Sequence, residues 1–580
     1  MKNILSLVLF TFLCFATANA QNNQMPKLVK NGNITQMIVD GKPFIMLAGE
    51  LHNSSTGSAH YMAPIWQRMS NKNLNTVIAA VSWELIEPQE NQFDFALVDS
   101  MINGARRANL KLVVLWFGSW KNGASTYVPS WVKKDPKRFP LASYKGGDPM
   151  TTLSTLGKNS MEADAKAFAA LMGHIKEVDS STHTVVMMQV ENEMGTEDFS
   201  AAFMQKENRS MRDFSPAADK AFNSEVPQQL ISYLKANKQT LHPAIAKVWN
   251  DNDNKMKGTW EEVFGKGKKA DSKDWQNEYP YLTEEIFNAW NYAKYVEYIA
   301  AKGKEVYPLP MYVNAWIKQG GEAEPGTYPS GGPQAHVQDI WRAAAPHIDL
   351  IAPDIYAMDL LDWVCSGYTH NGNPLFIPET RSSSDGAARS FYTIGRYNAL
   401  CYSPFGIDGG GLSLTADPND FSYNKAYAML KNLTPYIHKY AGTKEMSGLL
   451  MDKNRLSDKI NMGKYKISIL PFSTRASIAL AGVAVEEIKQ TDTNVAGLII
   501  FQTGENEFVV AGGIGGMVVN ISKNETSKAK HVALLSTDEI TFDKEGHELL
   551  HRLNGDETSY GSAVIPIGTV KAFRIKMYEY

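Results

Sequence analysis

Two short segments place carboxylates where they could do chemistry. QVENE (189–193) closes the apolar run TVVMMQVENE (184–193), and IPET (377–380) closes the run PLFIPET (374–380). A carboxyl kept protonated can assist a leaving group while a second, ionised one attacks the same carbon, which is the machinery of glycosidic-bond hydrolysis. Carboxyl groups about 5–5.5 Å apart attack directly and retain configuration, whereas a wider gap admits water and inverts it. Within the first segment, periodicity does not separate Glu191 from Glu193, because residues two apart on a strand share a face.

Other apolar runs also finish in residues that could serve such a site. Glu50 and His52 end one, Trp83 and Glu84 a second, Trp120 a third, Trp316 a fourth, and Asp354 with Tyr356 a fifth. Glu50, Glu84, Asn122 and Asp354 could hydrogen-bond sugar hydroxyls, and Trp120, Trp316 and Tyr356 could supply apolar walls. Packing would account for each of them equally well. Tyr356 could instead orient the nucleophile. His52 has no spaced set of His, Asp or Glu around it, so it reads as a satisfied structural histidine and no metal site is expected. The glycines at 512–516 open no helix, no phosphate loop or dinucleotide fingerprint occurs, and this chemistry needs no cofactor.

These residues need a scaffold that brings strand ends together. Eight apolar runs fall between residues 44 and 410: 44–52, 76–84, 111–120, 184–193, 310–316, 348–356, 374–380 and 403–410. Their near-continuous apolarity suits parallel strands buried on both faces. Amphipathic stretches such as 95–109 and 161–178 lie between them. Eight βα units predict an α/β fold, a closed (β/α)8 TIM barrel, whose active face lies at the C-terminal strand ends. An open doubly wound sheet is the competing architecture, weakened by the missing glycine-rich phosphate turn. A long excursion at about 197–307 reads as an insertion after the fourth strand, with a helix around 281–306. Beyond residue 430 the texture turns to short strands and turns at 464–472, 476–485, 496–504, 507–521, 531–542 and 570–580. An antiparallel β-sandwich over 431–580 follows, either a sugar-binding module or, with no dense aromatic platform, a structural buttress.

The first residues combine Lys2, an apolar run from Ile4 to Ala16 and Ala18-Asn19-Ala20. That pattern reads as a secretory signal peptide over 1–20, leaving a catalytic domain over 21–430 and a secreted or periplasmic protein without membrane insertion. Lys and Arg number 58 against 61 Asp and Glu, which gives no sign of a nucleic-acid partner. Beyond the leader only Cys365 and Cys401 remain; they could pair or sit reduced in the core.

Several of these segments resemble a known family. Asn-Glu closing the fourth strand and Glu closing the seventh resembles the retaining β-glycosidase clan that includes β-galactosidases, cellulases and mannanases. QVENEMG (189–195) resembles the QxENEYG signature of glycoside hydrolase family 35, and VSWELIEPQENQFDF (81–95) resembles that family's W-x-x-x-E-P strand followed by Y/F-D-F. The resemblance runs from about Gly41 to Gly411. It implies Glu193 as acid/base, Glu379 as nucleophile and Asn192 as a ligand of the sugar 2-hydroxyl. It also implies a β-galactoside as the carbohydrate substrate and exo action. Two segments depart from the family: GELHNSS (49–55) stands for its G-x-x-H-Y turn, and WFGSWKNG (116–123) for its G-P-Y-x-x-A-E loop. Rival expectations are a β-glucanase, mannanase or arabinosidase on the same machinery, a non-catalytic carbohydrate-binding protein, and a metal-dependent barrel hydrolase.

Overall fold

The structure is a computed structural model that describes residues 24–197, 211–270, 273–321, 323–409, 422–472, 495–558 and 561–580. The leader, the end of the expected resemblance at Gly411 and the run at 476–485 lie outside those residues. All eight expected barrel strands are present. They are β1 (Met46–Glu50), β2 (Thr76–Ser82), β3 (Lys111–Lys121) and β4 (Val185–Asn192). After these come β5 (Met311–Trp316), β6 (Leu350–Asp354), β7 (Phe376–Thr380) and β8 (Cys401–Pro404). The eighth strand begins before the run expected at 403–410.

A helix follows each strand. In chain order these are α1 (Ile65–Asn71), α2 (Ala96–Arg107), α3 (Lys158–Asp179) and α4 (Leu282–Val306). The set continues with α5 (Gln338–Ala344), α6 (Leu361–Tyr368), α7 (Ser384–Tyr397) and α8 (Ser422–Tyr440). The strands form one parallel eight-stranded sheet in which β1 lies between β2 and β8. The Ile355 N–H donates to the Glu379 carbonyl at 2.9 Å, so β6 meets β7 and the sheet closes into a TIM barrel.

Both faces of the strands are buried, as their unbroken apolar runs require. Ala48, Ile78, Val113, Leu115, Tyr312, Ala352 and Phe376 fill the barrel interior. Leu47, Val77, Val114, Trp116 and Val190 face outward into the layer beneath the helices. The excursion after β4 is shorter than expected, because α4 is the ordinary crossover to β5. The insertion proper carries short helices at Pro216–Phe222, Gln228–Ala236, Pro243–Asn250 and Trp260–Phe264.

Among the described residues, the C-terminal part is an antiparallel sandwich of a six-stranded and a four-stranded sheet. Leu498, Ile500, Val510 and Phe573 of the larger sheet pack on Ile467, Ile469 and Val519 of the smaller. The larger sheet's other face, with Leu450, Ile499 and Val509, joins the barrel's outer core beside Phe391 of α7 and Leu430 of α8. The expected boundary at 431 therefore cuts α8, which belongs with the barrel; the sandwich starts at the strand Met446–Met451. Strands at Met446–Met451, Asp458–Met462, Glu548–Leu553 and Ala563–Ile565 were not legible as sequence runs. Cys365 and Cys401 are both free and buried, one under a helix and one inside the barrel.

Candidate active site

The C-terminal strand ends gather Glu50 (β1), Lys121 (β3), Glu193 (after β4), Asn314 (β5), Asp354 (β6) and Glu379 (β7), all of them buried. Carboxylate oxygens of Glu193, Asp354 and Glu379 lie within 4.8 Å of one another. By distance alone such a trio could chelate a cation. Here the Lys121 ammonium, 3.8 Å from Glu193 Oε2, supplies the positive charge. The Asn122 amide also donates to Glu193 Oε2.

Each carboxylate has a different environment, and that separates their proton affinities. Burial, then repulsion from Glu379, pushes Glu193 up to about 7 although Lys121 opposes the rise. Burial, then Glu379, also holds Glu50 and Asp354 well above the ordinary carboxyl range. Burial would lower the Lys121 ammonium, but Glu193, Glu379, Glu50 and Asp354 outweigh it and raise its pKa. Glu379 is held by donors to both oxygens: the Tyr356 hydroxyl at 2.7 Å from Oε2 and the Asn314 amide at 3.4 Å from Oε1. The same Asn314 amide donates to Asp354 at 2.8 Å, and its carbonyl accepts the Glu193 N–H at 3.0 Å, so one side chain aligns three acidic residues.

Among the described residues, several buried polar atoms around this cluster have no hydrogen-bond partner: both oxygens of Glu50, both amide atoms of Asn192, Asp354 Oδ1 and the Tyr312 hydroxyl. Buried polar groups ordinarily find hydrogen bonds. Such a ring of donors and acceptors beside Glu193 and Glu379 is suited to a polyhydroxylated ligand.

The structure sorts the other expected residues. Tyr356 takes the orienting role beside Glu379, and Trp316 stands half-buried at the barrel mouth, in register with Asp354. Trp120 does not form a cleft wall. It is fully buried against Tyr292 and Tyr295 of α4, with ring centroids 5.0 and 4.5 Å away. Glu84 pairs with Lys133 at 3.4 Å, half-exposed, and not with the carboxylate cluster. His52 is structural, bonded through Nδ1 to buried Asp408 at 2.7 Å.

Glu191 does not share a face with Glu193. Register shifts in the β3–β4 ladder between Trp116 and Lys121, and Glu191 has a left-handed backbone with φ of 62°. The bulge breaks the period of two, turning Ser119 and Glu191 outward. Lys121 and Asn314 are the site residues that the sequence did not disclose. A lysine next to Asn122 at a strand end was the available signal for the first; the second sits inside an apolar run and offered none.

Residues 36–321 match the family Glycosyl hydrolases family 35, and residues 423–565 match a domain of unknown function, DUF5597. The barrel resembles family 35 glycosyl hydrolases. A β-galactosidase of Xanthomonas manihotis is 28% identical over 221 residues, a match covering 35% of this chain and 32% of that protein. The chain thus spans about a third of the length of that relative. Among solved structures, a catalytic mutant of a GH42 β-galactosidase from G. stearothermophilus superposes with a TM-score of 0.50 at 10% identity, over 95% of this chain and 100% of that one. A β-galactosidase from Bacillus circulans sp. alkalophilus gives 0.49 at 11% identity, over 92% and 99%. At 10% identity the first likeness concerns the fold alone.

Proposed function

We propose that this chain is an exported β-galactosidase that removes terminal galactose by double displacement, with Glu379 as nucleophile and Glu193 as acid/base. The observation that carries the mechanism is the pair itself. Oxygens of Glu193 and Glu379 lie within 4.8 Å of each other, which favours the retaining separation of about 5–5.5 Å over the about 6.5–9.5 Å of inverting enzymes. Glu193, at about 7, holds its proton near neutral pH, as a general acid must.

In the first step Glu379 attacks the anomeric carbon while Glu193 protonates the departing glycosidic oxygen, leaving a glycosyl ester on Glu379. In the second, Glu193 takes a proton from water, which attacks the anomeric carbon and frees Glu379. The unpaired Asn192 amide is the ligand for the 2-hydroxyl, and Glu50 and Asp354 serve other hydroxyls. The galactose choice draws on the Xanthomonas manihotis relative, and export on the charged, apolar and small-residue pattern of residues 1–20.

The test is hydrolysis of a panel of nitrophenyl glycosides, with proton NMR of the first sugar released. β-Galactose released first, with EDTA causing no loss, is expected. α-Galactose would overturn double displacement, hydrolysis of another glycoside alone would overturn the sugar, and loss to EDTA would favour a metal-dependent mechanism.

A further inference from the structure

The carboxylate the mechanism does not use lies two residues before the acid/base. Glu191 is completely buried and points out of the barrel. Its Oε2 accepts the Trp120 N–H at 2.7 Å and its Oε1 the Ser119 N–H at 3.1 Å. Asp164 reaches the same bulge from α3, accepting the Trp116 indole N–H at 2.8 Å and the Ser119 N–H at 2.9 Å. The Ser119 hydroxyl donates to Asp164 and lies 2.7 Å from the Tyr295 hydroxyl of α4. Gly118 leaves no room for anything bulkier, since a Cβ there would lie 2.6 Å from Glu191 Oε1 and 2.3 Å from the Trp116 indole. The bulge in β3 is therefore held by side-chain carboxylates where the strand ladder lapses.

The two residues that leave this bulge are the ones that touch Glu193. Lys121 places its ammonium 3.8 Å from Glu193 Oε2, and Asn122 donates to the same oxygen. We propose that Glu191 and Asp164 are a positioning pair that fixes Lys121 and Asn122 against Glu193 and thereby sets the proton affinity of the acid/base. This inference rests on the reading of Glu193 as the acid/base. Burial, then repulsion from Asp164, raises Glu191 strongly, and burial raises Asp164. Coulomb energy falls with distance, so an ammonium displaced by about 1 Å alters its neighbour's pKa by about half a unit.

The test reads Glu193 directly, by carbon-13 carboxyl titration of protein carrying labelled glutamate, with the resonance assigned by its loss in Glu193→Gln. Glu191→Gln takes one carboxylate oxygen from the Ser119 and Trp120 N–H groups and leaves Asp164 in place. The groups facing Glu193 (Glu379, Asp354, Glu50, Lys121 and Glu197) are all untouched. Its midpoint should rise by about half a unit or more, and the rise should vanish in a Lys121→Met background. Tyr295→Phe, which weakens the same layer without releasing either N–H, should lower Tm and leave the midpoint alone. If Glu191→Gln does not fold, Glu191→Asp, with a shorter arm, gives the same readout. A lowered Tm with an unmoved midpoint, or a rise that persists without Lys121, overturns the proposal. If the wild type hydrolyses no nitrophenyl glycoside, the functional reading fails while the titration still decides the positioning role.

Discussion

In the proposed mechanism Glu193 holds a proton when substrate arrives and gives it up during the first step. Burial and Glu379 push its pKa to about 7, and Lys121 keeps it from rising further. The acid form is lost as pH rises through about 7, so kcat/KM should fall on a basic limb near that value. Lys121→Met removes the lowering influence and should move that limb upward, measured as a pH–rate profile on a nitrophenyl galactoside. Glu379→Gly should abolish turnover, and added azide should restore part of it by attacking from the vacated side, yielding the α-glycosyl azide. Recovery of the β-azide, or none at all, would remove Glu379 from its role. Glu50 makes a separate prediction. Its folded pKa lies above its unfolded value, so the folded state binds more protons between the two and stability falls as pH rises through that window. Glu50→Gln should flatten this decline, leaving Tm higher than wild type at pH 8 and nearly equal at pH 4.

At the scale of elements, the bulge in β3 decides which side chains enter the barrel. In an unbroken strand Val113, Leu115 and Phe117 would be followed inward by Ser119 and then Lys121. The bulge instead sends Ser119 toward α3 and α4, and only Lys121 returns to the interior. Trp120, outward with or without the bulge, is a packing residue against Tyr292 and Tyr295. Trp120→Ala should cost about 3–5 kcal/mol in denaturant unfolding through cavity formation. The half-buried Trp316, at the mouth, should when changed to Ala raise KM with a much smaller loss of stability. A large KM effect for Trp120→Ala in fully folded protein would contradict its placement. Alternation along a strand is a sound guide only while the ladder is regular, and active-site rims are where bulges collect.

At the scale of the whole molecule, the sandwich and the barrel share one outer core. The helix α7 lies so close to the larger sheet that a Cβ on Gly497 would stand 1.9 Å from the Ala388 carbonyl oxygen. Gly497→Ala must push helix and sheet apart and should cost about 1–3 kcal/mol as overpacking. Because α7 follows directly from the strand bearing Glu379, the same change should slow turnover modestly in protein that remains folded. An unchanged Tm would mean that the contact is easily relaxed. On this geometry the sandwich braces the barrel wall behind the nucleophile.

Much of this was written in one dimension. The eight apolar runs determined the barrel, because strands buried on both faces need continuous apolarity whatever their neighbours. Glu379 and the pair Glu191 and Glu193 were legible as strand-end carboxylates, and the family motif chose between the last two. The tertiary structure decided the rest. Which carboxylate of QVENE faces inward depends on a left-handed residue and a register shift on the adjoining strand. The part played by Lys121 depends on carboxylates contributed by four other segments of the chain, and Asn314 acquires its role only where β5 runs between β4 and β6. Local pattern records what a residue must bury; the partners it meets are set by closure of the sheet, and proton affinities follow those partners.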